Sequence, residues 1–159
     1  PFAAVESEYS LLTRDVEKEI VPLTKELEIT LVSFSPLGRG LVTNTIHVEA
    51  LGTDDYRKHL PRYNGEHWEN NQRLSAGFAE IAAGKGITPA QFALAWVLAQ
   101  SENLIPIPGT KRSRYLEENA KAADVDLSAE DIADIEHLLK KYPNVGDRYN
   151  EREFKFVGK

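Results

Sequence analysis

The sequence predicts an α/β fold built on parallel strands. Short runs rich in Val, Ile and Leu alternate with segments of helical periodicity along the 159 residues. The run Ile29–Phe34 lacks a strict apolar–polar alternation, which favours a strand covered on both faces. The composition, 42% hydrophobic and 28% charged, is that of a globular protein. These three observations together favour βα units over an all-helical or all-β fold.

Composition also excludes several functional classes. The absence of cysteine rules out disulfides, thiolate zinc sites and cysteine nucleophiles. The net charge of −6 argues against an obligate nucleic-acid binder. No apolar run reaches the roughly 18 residues of a membrane helix, and the N-terminus lacks a signal-peptide pattern. We therefore expect a cytoplasmic protein with no nucleic-acid or membrane partner.

The first βα unit occupies the N-terminal third of the chain. The apolar stub Ala3–Val5 predicts a short strand, and Ile29–Phe34 predicts the next one. Between them, helical spacing predicts a helix over residues 14–27, which Pro22 should kink or split. The apolar stripe of this helix consists of Val16, Ile20, Leu23 and Leu27.

Residues 35–70 predict a long loop with room for a short helical turn, because glycines, prolines and polar residues replace any periodicity. Helical order resumes near Asn71 and ends at Gly84 and Gly86. The stripe of this helix consists of Leu74, Phe78, Ile81 and Ala82.

Clear boundary signals mark the remaining elements. Thr88 and Pro89 predict the start of a buried helix over 89–100. Leu104–Ile107 predicts a third strand, and residues 113–123 predict a helix. Ser128 with Asp131 forms a capping box that opens the last long helix. The stripe of that helix consists of Ile132, Ile135, Leu138 and Leu139, and the polar tail after Pro143 is expected to be irregular.

Three parallel strands would leave two sheet edges open, which stable domains rarely tolerate. The chain also does not begin with methionine. Both observations lead us to expect the end of a larger α/β protein.

Two strand ends carry ligand-binding patterns. Residues 33–40 leave the second strand through Pro36, Gly38 and Gly40, which allow a close approach of a ligand to the backbone. An ordinary βα turn is the alternative, since the third glycine of a dinucleotide fingerprint is absent. After the third strand, residues 109–114 place Lys111, Arg112 and Arg114 at a helix N-terminus. That combination suits a phosphate, although a solvated basic turn would look the same.

The helix after the basic turn has two faces. At about 100° per residue, Tyr115, Glu118 and Asn119 share a polar and aromatic face that suits a purine. An exposed polar face is the alternative. The opposite stripe, expected to pack in the core, consists of Leu116, Ala120 and Ala123. The four histidines show no metal-ligand spacing, so no metal site is predicted.

Four segments resemble the C-terminal part of an aldo-keto reductase. They are residues 5–11, 33–40, 88–100 and 107–119, and the resemblance covers nearly the whole chain. A series of four motifs in this order is much more specific than any one of them. The segments are most similar to the plant and fungal branch that includes pyridoxal reductases.

The resemblance implies a TIM (β/α)8 barrel, of which this chain supplies strands six to eight with their helices. The strands at Val5, Ile29–Phe34 and Leu104–Ile107 would be the sixth, seventh and eighth. Phosphate sites in such barrels follow the seventh and eighth strands, where both ligand-binding patterns lie.

The resemblance also implies residue roles toward NADP. Phe34 would stack on the nicotinamide, and Glu6, where many members have Gln, would contact the carboxamide. The pyrophosphate side would be lined by Ser35, Pro36, Leu37, Gly38 and Gly40. The adenosine phosphate would be held by Gly109, Thr110, Lys111 and Arg112, and the adenine end by Tyr115, Glu118 and Asn119.

The implied activity is NADP-dependent reduction of aldehydes or ketones by hydride transfer. The family's catalytic Asp, Tyr, Lys and His would precede residue 1, so no catalytic residue is assigned here. The chain alone is therefore expected to be inactive and to need the N-terminal half of the barrel as its partner. Two alternatives stay open: a non-catalytic NADP-binding subunit or sensor, similar to potassium-channel β-subunits, and an α/β segment that binds no nucleotide.

Overall fold

Three parallel strands form the centre of the computed structural model, which describes residues 2–157. β1 (Ala4–Glu8), β2 (Thr30–Phe34) and β3 (Leu104–Ile107) lie in that order in one sheet. The register places Glu8 beside Phe34 and Phe34 beside Ile107. The carboxyl ends of all three strands therefore meet at one edge, where parallel sheets bind ligands.

Helices follow each strand, which confirms the predicted alternation. The α-helices are α1 (Ile20–Glu26), α2 (Gly65–Gly84), α3 (Pro89–Leu98), α4 (Ser113–Ala120), α5 (Ala129–Lys141) and α6 (Glu151–Phe154). Short 3-10 turns cover Asp15–Glu17, Gly38–Thr43, Val48–Ala50, Tyr56–His59, Pro61–Tyr63 and Lys121–Asp124. Within residues 2–157, no helix combines the length and the apolar character needed to cross a membrane.

Side-chain caps fix the starts of α3 and α5, as predicted. Thr88 Oγ1 accepts a hydrogen bond from the Gln91 amide at 3.2 Å, and the Gln91 side chain accepts from the Thr88 amide. Ser128 and Asp131 form the same reciprocal pair at the start of α5. Each pair satisfies amides that a helix N-terminus leaves unpaired.

The core lies between the sheet and α3, which is buried from Ala90 to Val97. Trp96 of α3 packs against Tyr9, with ring centroids 5.6 Å apart. Leu31 of β2 and Leu104 of β3 pack into this core from the sheet. A helix that is apolar on nearly every side can be buried this way, as the sequence predicted.

The prediction that β2 is covered on both faces is wrong for the described chain. Leu31 and Ser33 are buried under the helices, whereas Val32 is only half-buried. On the same open face of β3, Ile105 is 53% exposed and Ile107 is 45% exposed. The sheet therefore has one covered face and one apolar face with little cover.

The predicted helix over 14–27 is divided, but not at Pro22. A 3-10 turn ends at Glu17 and α1 begins at Ile20, which places Pro22 in the first turn, where no intrahelical donor is needed. Only Val16 of the predicted stripe is deeply buried. Leu23 and Leu27 are 46% and 55% exposed.

The long loop is shorter than predicted, since α2 begins at Gly65 rather than near Asn71. Its first turn is polar apart from Trp68, so periodicity gave no signal there. The loop itself, residues 35–64, contains four 3-10 turns rather than one. Residues before α2 are therefore more ordered than their composition indicated.

The core stripe predicted after Ser113 is also wrong. Leu116 is 60% exposed, and Ala120 and Ala123 are exposed as well. Ala122 is the buried residue of this region, because α4 ends at Ala120 and a tighter 3-10 turn follows. The half-buried face of α4 instead carries Glu118, whose carbonyl accepts from Gln91 Nε2 at 3.2 Å.

The tail after Pro143 is not merely irregular, since it contains α6 and packs on the rest of the chain. Arg62 Nε donates to the Gly146 carbonyl at 3.2 Å. Asn71 pairs with the backbone of Val145 through both its amide nitrogen and its oxygen. The last two residues of the predicted tail lie outside the described residues.

Gly146 should tolerate no side chain. A Cβ there would lie 2.9 Å from backbone atoms of Pro61 and Arg62, and its φ of +81° favours glycine. We expect Gly146→Ala to lower the free energy of unfolding by about 2–4 kcal/mol in the full-length protein, from overpacking plus left-handed strain. Urea denaturation measures the loss.

Gly86→Ala is the matched control, because its φ is +71° but nothing lies within 4 Å of the added Cβ. It should cost about 1 kcal/mol, from backbone strain alone. Equal losses for both variants would contradict the packing argument.

Candidate functional site

The loop that leaves β2 has an unusual backbone. Ser35, Gly38, Arg39 and Gly40 all have positive φ, of 50°, 56°, 57° and 95°. Such a run reverses the chain tightly at the carboxyl edge of the sheet. A Cβ added at Gly38 would lie 2.8 Å from Leu12 Cδ1, so the Leu12 side chain would have to shift. Non-glycine residues in this region are strained, so neighbouring groups must hold them in place.

Tyr63 and Arg57 hold this loop from the side. The Tyr63 hydroxyl donates to the carbonyls of Gly38 and Arg39 at 3.0 and 3.3 Å. Burial raises the pKa of Tyr63 to about 12, which keeps this donor protonated. Asp55 fixes Arg57 through two hydrogen bonds of 2.9 and 2.7 Å, and these bonds lower the Asp55 pKa to about 2.

The loop after β3 presents positive charge and open amides. Among residues 2–157, Lys111 and Arg112 form no ion pair with a carboxylate. The backbone amides of Ser113 and Arg114 open α4 and find no protein acceptor within the same residues. Arg114 differs from Lys111 and Arg112, because its guanidinium is occupied by a contact with the Tyr115 ring, at 4.5 Å from the ring centroid. Charge and amides at a helix start are the features that bind phosphate.

These two loops face each other across a cleft of about 1120 Å³, here called the basic cleft. The predicted residues that line it are Ser35, Pro36, Leu37, Gly40, Gly109, Thr110, Lys111, Arg112, Tyr115, Glu118 and Asn119. Tyr115, Glu118 and Asn119 thus share one face of α4 toward the cleft, where the sequence had placed them together. The cleft has room for a ligand the size of a dinucleotide.

Sequence reasoning missed part of this lining. The additional residues are Arg39, Thr43, Thr45, Ile46, Arg57, Thr88, Pro89, Ala90, Ile107 and Pro108. The residues from the long loop are brought to the cleft by the tertiary structure, so no local sequence pattern could identify them. Thr88 and Pro89 had been recognised only as a helix start.

Glu6 and Phe34 line a second space, the strand-end cavity, of about 920 Å³. It lies at the carboxyl ends of β1 and β2, and the tail closes part of it with Tyr149, Glu153 and Phe156. Tyr56 of the long loop donates to the Glu153 carboxylate there, and burial with this bond raises the Tyr56 pKa to about 12. Gly38 lines neither space and is buried instead.

A buried polar cluster borders both spaces, because Glu8 lines the strand-end cavity and Arg39 lines the basic cleft. Glu8 is 2% exposed, and its carboxylate accepts from Arg39 Nη2 and Thr13 Oγ1, both at 3.1 Å. Arg62, 7% exposed, donates to the same Thr13 hydroxyl at 3.2 Å, and its burial lowers its pKa. Buried charges with such partners hold segments in fixed positions.

The site can bind an anionic ligand in the basic cleft and a flat ring beside Phe34 in the strand-end cavity. In the part of the chain that the structure describes, no group of three or more His, Asp or Glu side chains could hold a metal ion.

Comparison with known proteins extends this description. A probable aldo-keto reductase 1 from Glycine max is 42% identical over 149 residues, which are 94% of this chain and 43% of that protein. A glycerol dehydrogenase from Gluconobacter oxydans superimposes with a TM-score of 0.83 at 22% identity, over 92% of this chain and 45% of its own. An aldo-keto reductase from Klebsiella pneumoniae, solved in complex with NADPH, superimposes with a TM-score of 0.60 at 23% identity, covering 92% and 41%.

These matches agree on the family and differ from this chain in length. The chain spans less than half the length of the relatives it matches. The α/β fold with its parallel sheet is shared with the solved aldo-keto reductases. The model of the aldo/keto reductase family matches residues 1–140. The chain belongs to the aldo/keto reductase family.

Proposed function

We propose that this chain binds NADP(H) and supplies the cofactor-binding part of an NADP-dependent carbonyl reductase. The observation that carries the proposal is the basic cleft, where unpaired cations face a glycine-containing loop at the ends of adjacent parallel strands. The family membership supplies the reaction class.

The residues present fit the cofactor. Within residues 2–157, Lys111 and Arg112 form no ion pair with a carboxylate, in a chain whose net charge is −6. A 2′-phosphate would supply that counter-charge and could also accept from the amides of Ser113 and Arg114. Tyr115, Glu118 and Asn119 offer a ring, an acceptor and an amide to the adenine.

The strand-end cavity would receive the nicotinamide. Phe34 provides an aromatic face for stacking, and Glu6 provides an acceptor for the carboxamide nitrogen. Phe34 and Ser35 are consecutive, so a dinucleotide would cross from one space to the other along Ser35–Gly40. When bound, NADPH supplies the hydride that reduces an aldehyde or ketone carbon.

We further propose that β1, β2 and β3 are the last three strands of an eight-stranded barrel. The open apolar face with Ile105 and Ile107 is the type of surface that a barrel interior covers. The catalytic acid and its partners would then come from sequence outside residues 1–159. In this proposal the protein is cytoplasmic, acts on a carbonyl substrate, and is most similar to the pyridoxal reductase-like branch.

Arg112 should select NADPH over NADH. We expect Arg112→Ala in the full-length protein to weaken NADPH binding by about 1.5–3 kcal/mol, which is typical of a hydrogen bond to a charged group. NADH binding should hardly change, because NADH lacks the 2′-phosphate. Fluorescence titration of Trp68 and Trp96 measures both constants.

Lys121→Ala is the control for this experiment, since it removes one positive charge near the end of α4 without lining the cleft. It should leave NADPH binding nearly unchanged. If Arg112→Ala weakens NADPH and NADH equally, Arg112 does not bind the 2′-phosphate.

Phe34 should stack on the nicotinamide. We expect Phe34→Ala to weaken NADPH binding by about 0.5–1.5 kcal/mol, the value of an aromatic contact beyond burial. Phe154→Ala, which removes a partly exposed ring that lines neither space, should have no effect on binding. A large fall in melting temperature with unchanged NADPH affinity would instead make Phe34 a core residue.

Residues 1–159 alone should reduce no carbonyl and should associate or aggregate. The reason is that β1 and β3 each expose an unpaired edge next to an apolar face. Adding the N-terminal half of the protein as a second chain should restore a compact barrel and NADPH-dependent turnover, measured at 340 nm. A monomeric 159-residue chain that reduces an aldehyde would contradict this placement of the catalytic residues. If the full-length protein binds NADPH but shows no turnover, the sensor alternative is favoured.

A further inference from the structure

We propose that Tyr149 and Glu8 are positioning residues for the cofactor loop, acting through Arg39 from outside the basic cleft. The proposal rests on the NADP(H)-binding function proposed above. It assigns the tail a role in cofactor affinity, although no residue after Asn119 lines the basic cleft.

Arg39 connects the cleft to the tail because its backbone and side chain lie in different environments. Its backbone belongs to the left-handed run of the cleft loop, with φ of 57°. Its guanidinium donates to Glu8 at 3.1 Å and to the Arg148 carbonyl at 3.3 Å. The side chain is thus bound to β1 and the tail, which leaves the backbone as the part that shapes the loop.

Tyr149 makes the third contact with the Arg39 guanidinium. The guanidinium carbon lies 4.8 Å from the centroid of the Tyr149 ring, within the range of a cation–π contact. The guanidinium is therefore held by a buried carboxylate, a carbonyl and an aromatic face. These three contacts offset the cost of a left-handed, non-glycine residue at position 39.

The Arg39 carbonyl shows how the effect reaches the cleft. It accepts from the Tyr63 hydroxyl at 3.3 Å and from Arg57 Nη1 at 3.4 Å. Arg57 and the next loop residue, Gly40, both line the basic cleft. If the Arg39 side chain loses its partners, only the hydrogen bonds to its carbonyl still hold the left-handed backbone at this position, and the cleft loop relaxes.

Tyr149 also lines the strand-end cavity, so direct contact with the nicotinamide must be separated from action through Arg39. The test therefore uses two probes on the full-length protein, without carbonyl substrate. One is NADPH, and the other is 2′-phospho-ADP-ribose, which lacks the nicotinamide and would occupy only the basic cleft.

We expect Tyr149→Leu to weaken the binding of both probes about threefold to tenfold, the equivalent of a cation–π contact. Tyr149→Phe keeps the aromatic face and should bind both probes as the unchanged protein does. Tyr142→Leu is the matched control, because that tyrosine, at the end of α5, lies against Lys141 rather than Arg39.

Glu8→Gln provides a second measurement, because it changes the carboxylate partner of Arg39 instead of the aromatic one. It should weaken the binding of both probes to a similar extent. Weakening of NADPH but not of 2′-phospho-ADP-ribose would overturn the proposal in favour of direct nicotinamide contact. Equal losses in Tyr149→Phe and Tyr149→Leu would overturn it as well, because the ring face would not be the cause. If the unchanged protein binds neither probe, the proposed function itself is wrong.

Discussion

Glu8 ends β1 with a carboxylate that is only 2% exposed, and burying such a charge costs several kcal/mol unless it is paired. Its partners come from separate parts of the chain. Arg39 belongs to the loop after β2, and Thr13, which also accepts from the buried Arg62, belongs to the segment after β1. Because the buried charges share these partners, the end of β1, the cleft loop and the 3-10 turn Pro61–Tyr63 must adopt their positions together.

The tail depends on the same cluster. The Gly146 carbonyl accepts from Arg62, and Tyr149 lies against Arg39, so residues 144–149 pack where the buried cations are. Arg148 adds an ion pair to Asp15 at 3.1 Å, although a pair with one exposed partner contributes little to stability. The tail therefore owes its position to buried polar contacts more than to surface charge.

Charge is distributed unevenly in this acidic chain. Asp55 neutralises Arg57, and Glu8 neutralises Arg39, even though both arginines line the basic cleft. Within residues 2–157, Lys111 and Arg112 form no ion pair with a carboxylate. The cleft therefore presents positive charge at one end and, at the other, a loop whose arginines are already paired.

The two spaces lie on either side of a single peptide bond, since Phe34 lines one and Ser35 lines the other. The positive φ of Ser35 turns the chain at that point, so consecutive residues face different volumes. One ligand could therefore contact both spaces while following a short stretch of backbone.

Local signals in the sequence determined the elements and the chemical character of the cleft. Thr88 with Gln91 and Ser128 with Asp131 fixed two helix starts, because capping involves residues only three positions apart. The basic turn Gly109–Arg112 was recognisable because its charge and its helix start are contiguous. Its ligand, and the roles of all candidate site residues, remain predictions.

Only the tertiary structure decided which faces are covered and which distant residues meet. Helical periodicity grouped Leu116 with Ala120, but it could not show that this face points to solvent, since periodicity defines a face without defining its neighbour. Arg39 and Glu8 are 31 positions apart, and Arg62 and Gly146 are 84 apart. Contacts at such separations depend on how strands and loops are arranged in space. The sequence by itself therefore determined the parallel βα order and the cationic turn. The buried cluster around Glu8, Arg39 and Arg62 depends on contacts between distant segments, so only the tertiary structure decided it.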